Sequence, residues 1–162
     1  MFQLRPAVWQ ALAGLIVLAL GVFVYLLDRP PGSVYLLPDD WMFGDGTRGS
    51  FGQLGWYLPT FTHTFAFSLF TSAVLEPWRW SGLAACTGWW LTASLFEIAQ
   101  GDTWSAVIAA AVPEWFSDWP VLDNLADYFS AGRLDPGDLL SIALGSVCAG
   151  LVVVLSRRVS SG

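Results

Sequence analysis

The sequence predicts an all-α protein, a polytopic transmembrane helical bundle of four spans with one or two short interfacial helices on its outer side. Three observations predict it. Of 162 residues, 55% are hydrophobic and only 12% charged, about half the charged share of an ordinary soluble domain. Mean hydropathy is +0.56, which leaves too few polar side chains to cover a water-exposed surface. The apolar residues also gather into stretches of about 20, the length a helix needs to cross a bilayer. No internal repeat or low-complexity tract divides the chain, so residues 1–162 read as a single transmembrane domain.

The first span covers about residues 7–27 and holds no charge. A cleaved signal peptide has an apolar core of about 7–15 residues followed by small residues. Here Asp28-Arg29-Pro30-Pro31 follow instead, so the stretch reads as an uncleaved anchor. The second span, about 59–76, opens at Pro59 and stops at Glu76-Pro77. The third, about 80–100, follows after so short a connection that the two form an antiparallel hairpin. The fourth, about 136–156, opens at Pro136 and ends before Arg157-Arg158.

Two outer loops remain, 28–58 and 101–135. The first is rich in Gly, Pro and Asp and touches the interface through Tyr35-Leu36-Leu37 and Trp41-Met42-Phe43. In the second, Trp104, Val107, Ile108 and Ala111 recur at helical spacing behind Asp102 or Thr103 as a cap. A second short helix, capped by Asp118 with Pro120 in its first turn, gathers Val121, Leu122, Leu125, Tyr128 and Phe129 on one side and stops at Gly132. Both are too short to span; they are predicted to lie on the outer surface or to dip partway in as a lid.

Charge orients the bundle. With the N-terminus inside, Arg5, Arg79, Arg157 and Arg158 fall on short cytoplasmic segments, while Arg29, Arg48, Arg133 and most acids fall outside. Both termini are then cytoplasmic, in a multi-pass membrane protein. Trp9, Trp78 and Trp80 on one side and Trp56 and Trp104 on the other match interfacial belts. The net charge is −6 and the seven basic residues, all Arg, form no patch, which excludes nucleic acid as a partner. Cys86 and Cys148 sit within apolar stretches and show neither metal spacing nor a disulfide framework. No metal and no cofactor is predicted.

Polar residues inside spans are costly and mark function. The candidates are His63, Glu97, Gln100, Arg133, Asp135 and Asp138. The four-span layout brings all of them to the outer ends of spans two, three and four. Glu97 and Gln100 share one helix face at i, i+3. Asp135-Pro136-Gly137-Asp138 is also a good helix start, a cap followed by Pro in the first position and a carboxylate in the positive field of the N-terminus. His63 beside Glu97 would make a base held by a carboxylate, or one wall of a polar pocket for a lipid or glycan headgroup. No Ser or Cys nucleophile is placed by a motif, and catalysis is not predicted. Ser141, Gly145 and Ala149 make a small-residue face on span four, a helix-packing surface expected to meet span three or one.

At these residues the chain resembles the VanZ-like family of bacterial integral membrane proteins. His63-Thr-Phe-Ala-Phe67, Glu97-Ile-Ala-Gln100 and Arg133-Leu-Asp135-Pro-Gly-Asp138-Leu-Leu, followed by Gly145, are similar to the family's motifs in spans two, three and four. The chain departs from that pattern at Ile142, where the family has Asn, and in the long insertion 101–132. The resemblance, carried by residues 59–150, implies a bacterial cytoplasmic (inner) membrane and a cell-envelope role; the family's namesake is associated with antibiotic resistance. Membrane lipid is then the expected partner. The rival expectation is a non-catalytic accessory or structural subunit, with protein partners in a larger membrane complex.

Overall fold

The computed structural model describes residues 5–34, 37–45, 49–76, 78, 80–120 and 122–159. Tyr35, Leu36, Arg48, Pro77, Arg79 and Val121 lie outside the described residues. The fold is all-helical among them. Four long helices, α1 (Pro6–Asp28), α2 (Leu54–Val74), α3 (Ser81–Ala99) and α6 (Pro136–Val159), carry two short ones, α4 (Ser105–Ala111) and α5 (Leu125–Ala131), in the segment before α6.

Two of the long helices, α1 and α6, are long and apolar enough to cross a membrane, each with a mean hydropathy of 2.4 over its best stretch. α2 and α3 have 21 and 19 residues, but Thr, Ser and Gly dilute their apolar content, and His63 and Glu97 lower it further. By hydropathy, then, the four expected spans reduce to two.

α2 lies at the centre, packed against α1, α3 and α6, and α6 closes the group by also touching α3 and, less extensively, α1. Phe65 and Leu69 of α2, Cys86 of α3 and Ala149 and Val153 of α6 make the core. Around it the usual polarity is inverted. Leu12, Ile16 and Phe23 of α1, Leu91 and Leu95 of α3, and Leu144, Val147 and Leu151 of α6 are exposed. Gln10, Thr62, Ser68, Ser72, Ser141 and Ser156 are buried.

Small residues let the helices approach closely. A Cβ on Gly21 would overlap the Thr62 hydroxyl, and one on Gly145 would stand 2.7 Å from the Phe61 carbonyl oxygen and 3.3 Å from the Phe65 nitrogen. Gly145 and its neighbours Ser141 and Ala149 are buried. At Gly145 the closest neighbour is α2 rather than the expected span three or one, while Ala149 shares the core with Cys86 of α3 as well as with α2. Helical spacing defines a face but does not say which neighbour it meets.

Polar ties fix both ends. At one, Ala7 N donates to Glu76 Oε1 (3.2 Å), Gln10 Nε2 to Ser156 Oγ (2.9 Å) and Arg157 Nη2 to Ser81 Oγ (3.4 Å). The starts of α1 and α3 thus meet the ends of α2 and α6, and the opposite end collects Asp28, Thr60, Glu97 and Asp138.

Three boundaries differ from expectation. α2 starts at Leu54 rather than Pro59, which sits inside it. The proline's missing N–H removes one intrahelical bond near the first turn, where the loss is smallest, and Thr62 Oγ1 donates to the Pro59 carbonyl (2.9 Å). The loop ahead of α2 is held by Asp28, whose carboxylate accepts Ser50 N (2.5 Å) and Phe51 N (3.2 Å). Asp118 closes a 3-10 turn, Glu114–Asp118, instead of capping a helix. The chain then turns about Pro120, with Leu122 N and Asp123 N on the Trp119 carbonyl, and α5 begins only after Asn124.

Gly145→Leu must displace backbone atoms of α2. It is expected to cost about 1–3 kcal/mol, the usual range for overpacking. Gly150→Ala, whose nearest neighbour is 4.0 Å away, should leave thermal unfolding in detergent unchanged or raised.

Candidate functional site

The start of α6 is built by Asp135. Its Oδ1 accepts the Gly137 N–H (2.7 Å) and its carbonyl accepts Asp138 N (3.0 Å), while Pro136 occupies the first position, where no N–H is needed. The Asp135 N–H faces the other way and donates to Glu97 Oε1 at 2.7 Å. Glu97, 8% exposed, thus ties the last turn of α3 to the first of α6. Asp138 makes the matching tie to α2, accepting the Thr60 hydroxyl at 2.7 Å.

Gln100 completes the group. Its Nε2 donates to Tyr128 Oη (2.9 Å) and, at greater length, to Glu97 Oε2 (3.3 Å). Its side chain lies on Gly132, where a Cβ would overlap it. A side chain at this C-cap position would displace Gln100. Phe129, 5% exposed, stacks on Phe96 (5.7 Å) and holds α5 against α3. The Tyr128 phenol is pushed above its ordinary range by burial first and by the nearby Glu97 charge second.

These residues border a cavity of about 770 Å³ lined by Gln100, Gly132, Arg133, Asp135 and Asp138 together with Arg29, Gln53, Trp56 and Tyr57. The Arg29 guanidinium lies 4.3 Å from the Trp56 ring centroid, a cation–π distance. Tyr57 packs flat on Gly137, where a Cβ would overlap its ring.

Five of the six candidates, Glu97, Gln100, Arg133, Asp135 and Asp138, are thus brought to one place. His63 is not among them. On α2 it shares a face with Trp56 and Phe67, at seven- and four-residue intervals, and its ring lies 6.1 Å from Tyr25 and 5.9 Å from Phe67. Thr60, one turn earlier, is the α2 residue that meets Asp138. Among the described residues no group of three or more His, Cys, Asp or Glu is arranged to hold a metal.

Arg29, Trp56, Tyr57, Thr60 and Tyr128 were missed as site residues. For Arg29 a signal existed: it stands one residue past the first helix, at the depth where the other polar groups gather. Tyr128 looked like part of an apolar helix side, and only the fold turns its hydroxyl to Gln100.

Chemically, the cavity presents two guanidinium groups, carboxylates, amides and two aromatic faces, a set suited to holding a polar group by hydrogen bonds. No family model, curated protein or solved structure matches the chain. The likeness to the VanZ-like family rests on the three short motifs alone.

Glu97→Ala leaves the Asp135 N–H without its acceptor and should lower stability by about 1–3 kcal/mol; Glu97→Gln keeps an oxygen there and should lose much less in thermal unfolding. A raised phenol contributes fully below the unfolded value of about 10, and its contribution is lost as pH rises through the higher folded value. The α5 contact should therefore survive to about pH 10 and fail above it, together with tyrosinate absorbance from Tyr128 that Tyr128→Phe abolishes.

Proposed function

We propose that the chain is an integral membrane protein of four spans, α1, α2, α3 and α6, and that the cavity between their outer ends receives the headgroup of a lipid or glycan. The observation that carries this reading is the convergence of Gln100, Arg133, Asp135 and Asp138 on one cavity at one end of a bundle with apolar flanks, with Glu97 bonded to Asp135 and Gln100 behind it. Exposed Leu, Ile, Val and Phe on all of the long helices, with hydroxyls and amides inside, suit hydrocarbon on every side. At 1.5 Å per residue, helices of 19 to 24 residues reach the roughly 30 Å of a bilayer core. Trp104, Trp115 and Trp119, all exposed, suit an interfacial position for the segment before α6.

Membership of the VanZ-like family, a bacterial cytoplasmic membrane, an envelope role and cytoplasmic termini belong to the same proposal, supported by the motifs and the arginine distribution. A role as an accessory subunit is the second reading. It is favoured by the exposed Trp104, Val107, Trp115 and Trp119 outside the bundle, which also suit a protein contact.

Single cysteines at Glu76 and Asp118, in a chain with Cys86 and Cys148 replaced, separate four spans from two. With four, a membrane-impermeant maleimide labels the two positions from opposite sides; with only α1 and α6 crossing, both are labelled from one side and the reading fails. For the cavity, protein purified in mild detergent should retain a lipid or glycolipid that Asp138→Asn and Arg133→Gln lower by about tenfold, as for a lost charge-assisted contact. A stoichiometric protein in its place favours the accessory subunit.

A further inference from the structure

The uncovered flank of α2 narrows the class of ligand; this inference rests on the headgroup cavity proposed above. α2 is the central helix, yet one stripe of it is open. Trp56, His63, Phe67 and Val74 recur at intervals of seven, four and seven, a single helical face, and Trp56, Phe67 and Val74 are exposed. Among the described residues no extended contact joins α1 to α3 across this stripe.

Rings run down it from the cavity. Trp56 stands at the rim. His63 lies between Tyr25 and Phe67, and Phe67 stacks on Trp89 of α3 at 5.0 Å. Trp89 in turn walls an apolar groove of about 320 Å³ between Thr71 of α2, Leu75 just past its end, and Ala84, Gly88 and Thr92 of α3. A side chain added at Gly88 would meet nothing within 4 Å. From Trp56 to Phe67 is eleven residues, about 16 Å along a helix, close to half of the roughly 30 Å hydrocarbon core. The ringed part, Trp56 to Phe67, therefore has the length of one leaflet, and the stripe continues past it to Val74.

The cavity at its head carries charge of both signs. Arg29 and Arg133 line it together with Asp135 and Asp138. Two cations and two carboxylates complement a zwitterion; a purely anionic group would meet repulsion from the aspartates. A free glycan leaves the apolar stripe below without purpose.

We propose that the site takes a zwitterionic aminophospholipid, its phosphate toward the arginines, its ammonium toward Asp135 and Asp138, and one acyl chain along Trp56, His63 and Phe67 into the groove beside Trp89. The chain contributes through burial of its methylenes against the rings and the groove. The headgroup contributes selectivity through the paired charges.

Full-length protein in mild detergent is offered palmitoyl-oleoyl phosphatidylethanolamine, the matching phosphatidylglycerol, or glycerophosphoethanolamine, which keeps the headgroup and lacks both chains. Native mass spectrometry counts what is bound. Phosphatidylethanolamine should exceed each of the others by about tenfold, and Gly88→Leu, which fills the groove, should lower its retention by about tenfold with thermal unfolding unchanged. Glycerophosphoethanolamine bound as well as the lipid, or retention untouched by Gly88→Leu, overturns the chain track and leaves the headgroup cavity standing. Phosphatidylglycerol bound as well as or better than phosphatidylethanolamine overturns the zwitterion. Failure to retain any of the three overturns the cavity reading and this inference with it.

Discussion

The contact on which the rest depends is the approach of α6 to α2 at Gly145. No side chain stands between that residue and the Phe61 carbonyl, so the two helices meet backbone to backbone. This closeness sets their relative depth. It brings Asp138 opposite Thr60, and with it the first turn of α6 to the last turn of α3, where Glu97 accepts the Asp135 N–H. The cavity is the space left above that junction. A bulky side chain at position 145 would part the helices and draw both carboxylates away from their donors, although neither touches the glycine.

Each carboxylate at the site has at least one oxygen engaged in the fold. Asp135 caps its own helix, Glu97 takes a backbone N–H from another, and Asp138 takes a hydroxyl from a third. In surroundings poor in water, such engagement is what makes buried charge tolerable. It also means that holding a ligand and holding the helices are tasks of the same groups. Conservative changes that keep an oxygen in place, such as Glu97→Gln, separate the two tasks better than truncation does.

Much of this was legible in the chain, and the failures have physical causes. Composition and the length of the apolar runs located the long helices, and i, i+3 spacing put Glu97 and Gln100 on one face. Asp135-Pro136-Gly137-Asp138 read correctly as a helix start because capping is local chemistry. Pro59 misled, since a proline suited to a first turn is also tolerated slightly deeper. Asp118 misled because Pro120 breaks the chain again before a helix can form. His63 shared the depth of the acids but not their direction. Direction around a helix decides what a side chain meets, and it depends on neighbours that periodicity does not reveal. The same gap hid Tyr57 and Tyr128, and it hid the approach of Gly145 to α2.

The difference in hydropathy between the outer pair of helices and the middle pair has a consequence for biogenesis. α1 and α6 are by length and composition apolar enough to cross a membrane. α2 and α3 carry Thr60, Thr64, Ser68 and Ser72 on one and Glu97 on the other, so each gains less from the same transfer. On the four-span reading, the middle hairpin gains its hold in the membrane from α1, where Gly14 and Gly21 offer Phe70 and Thr62 a seat. The last helix to emerge then seals the hydroxyl-bearing side. On that reading, the order of assembly in the membrane follows from the two most apolar helices, α1 and α6.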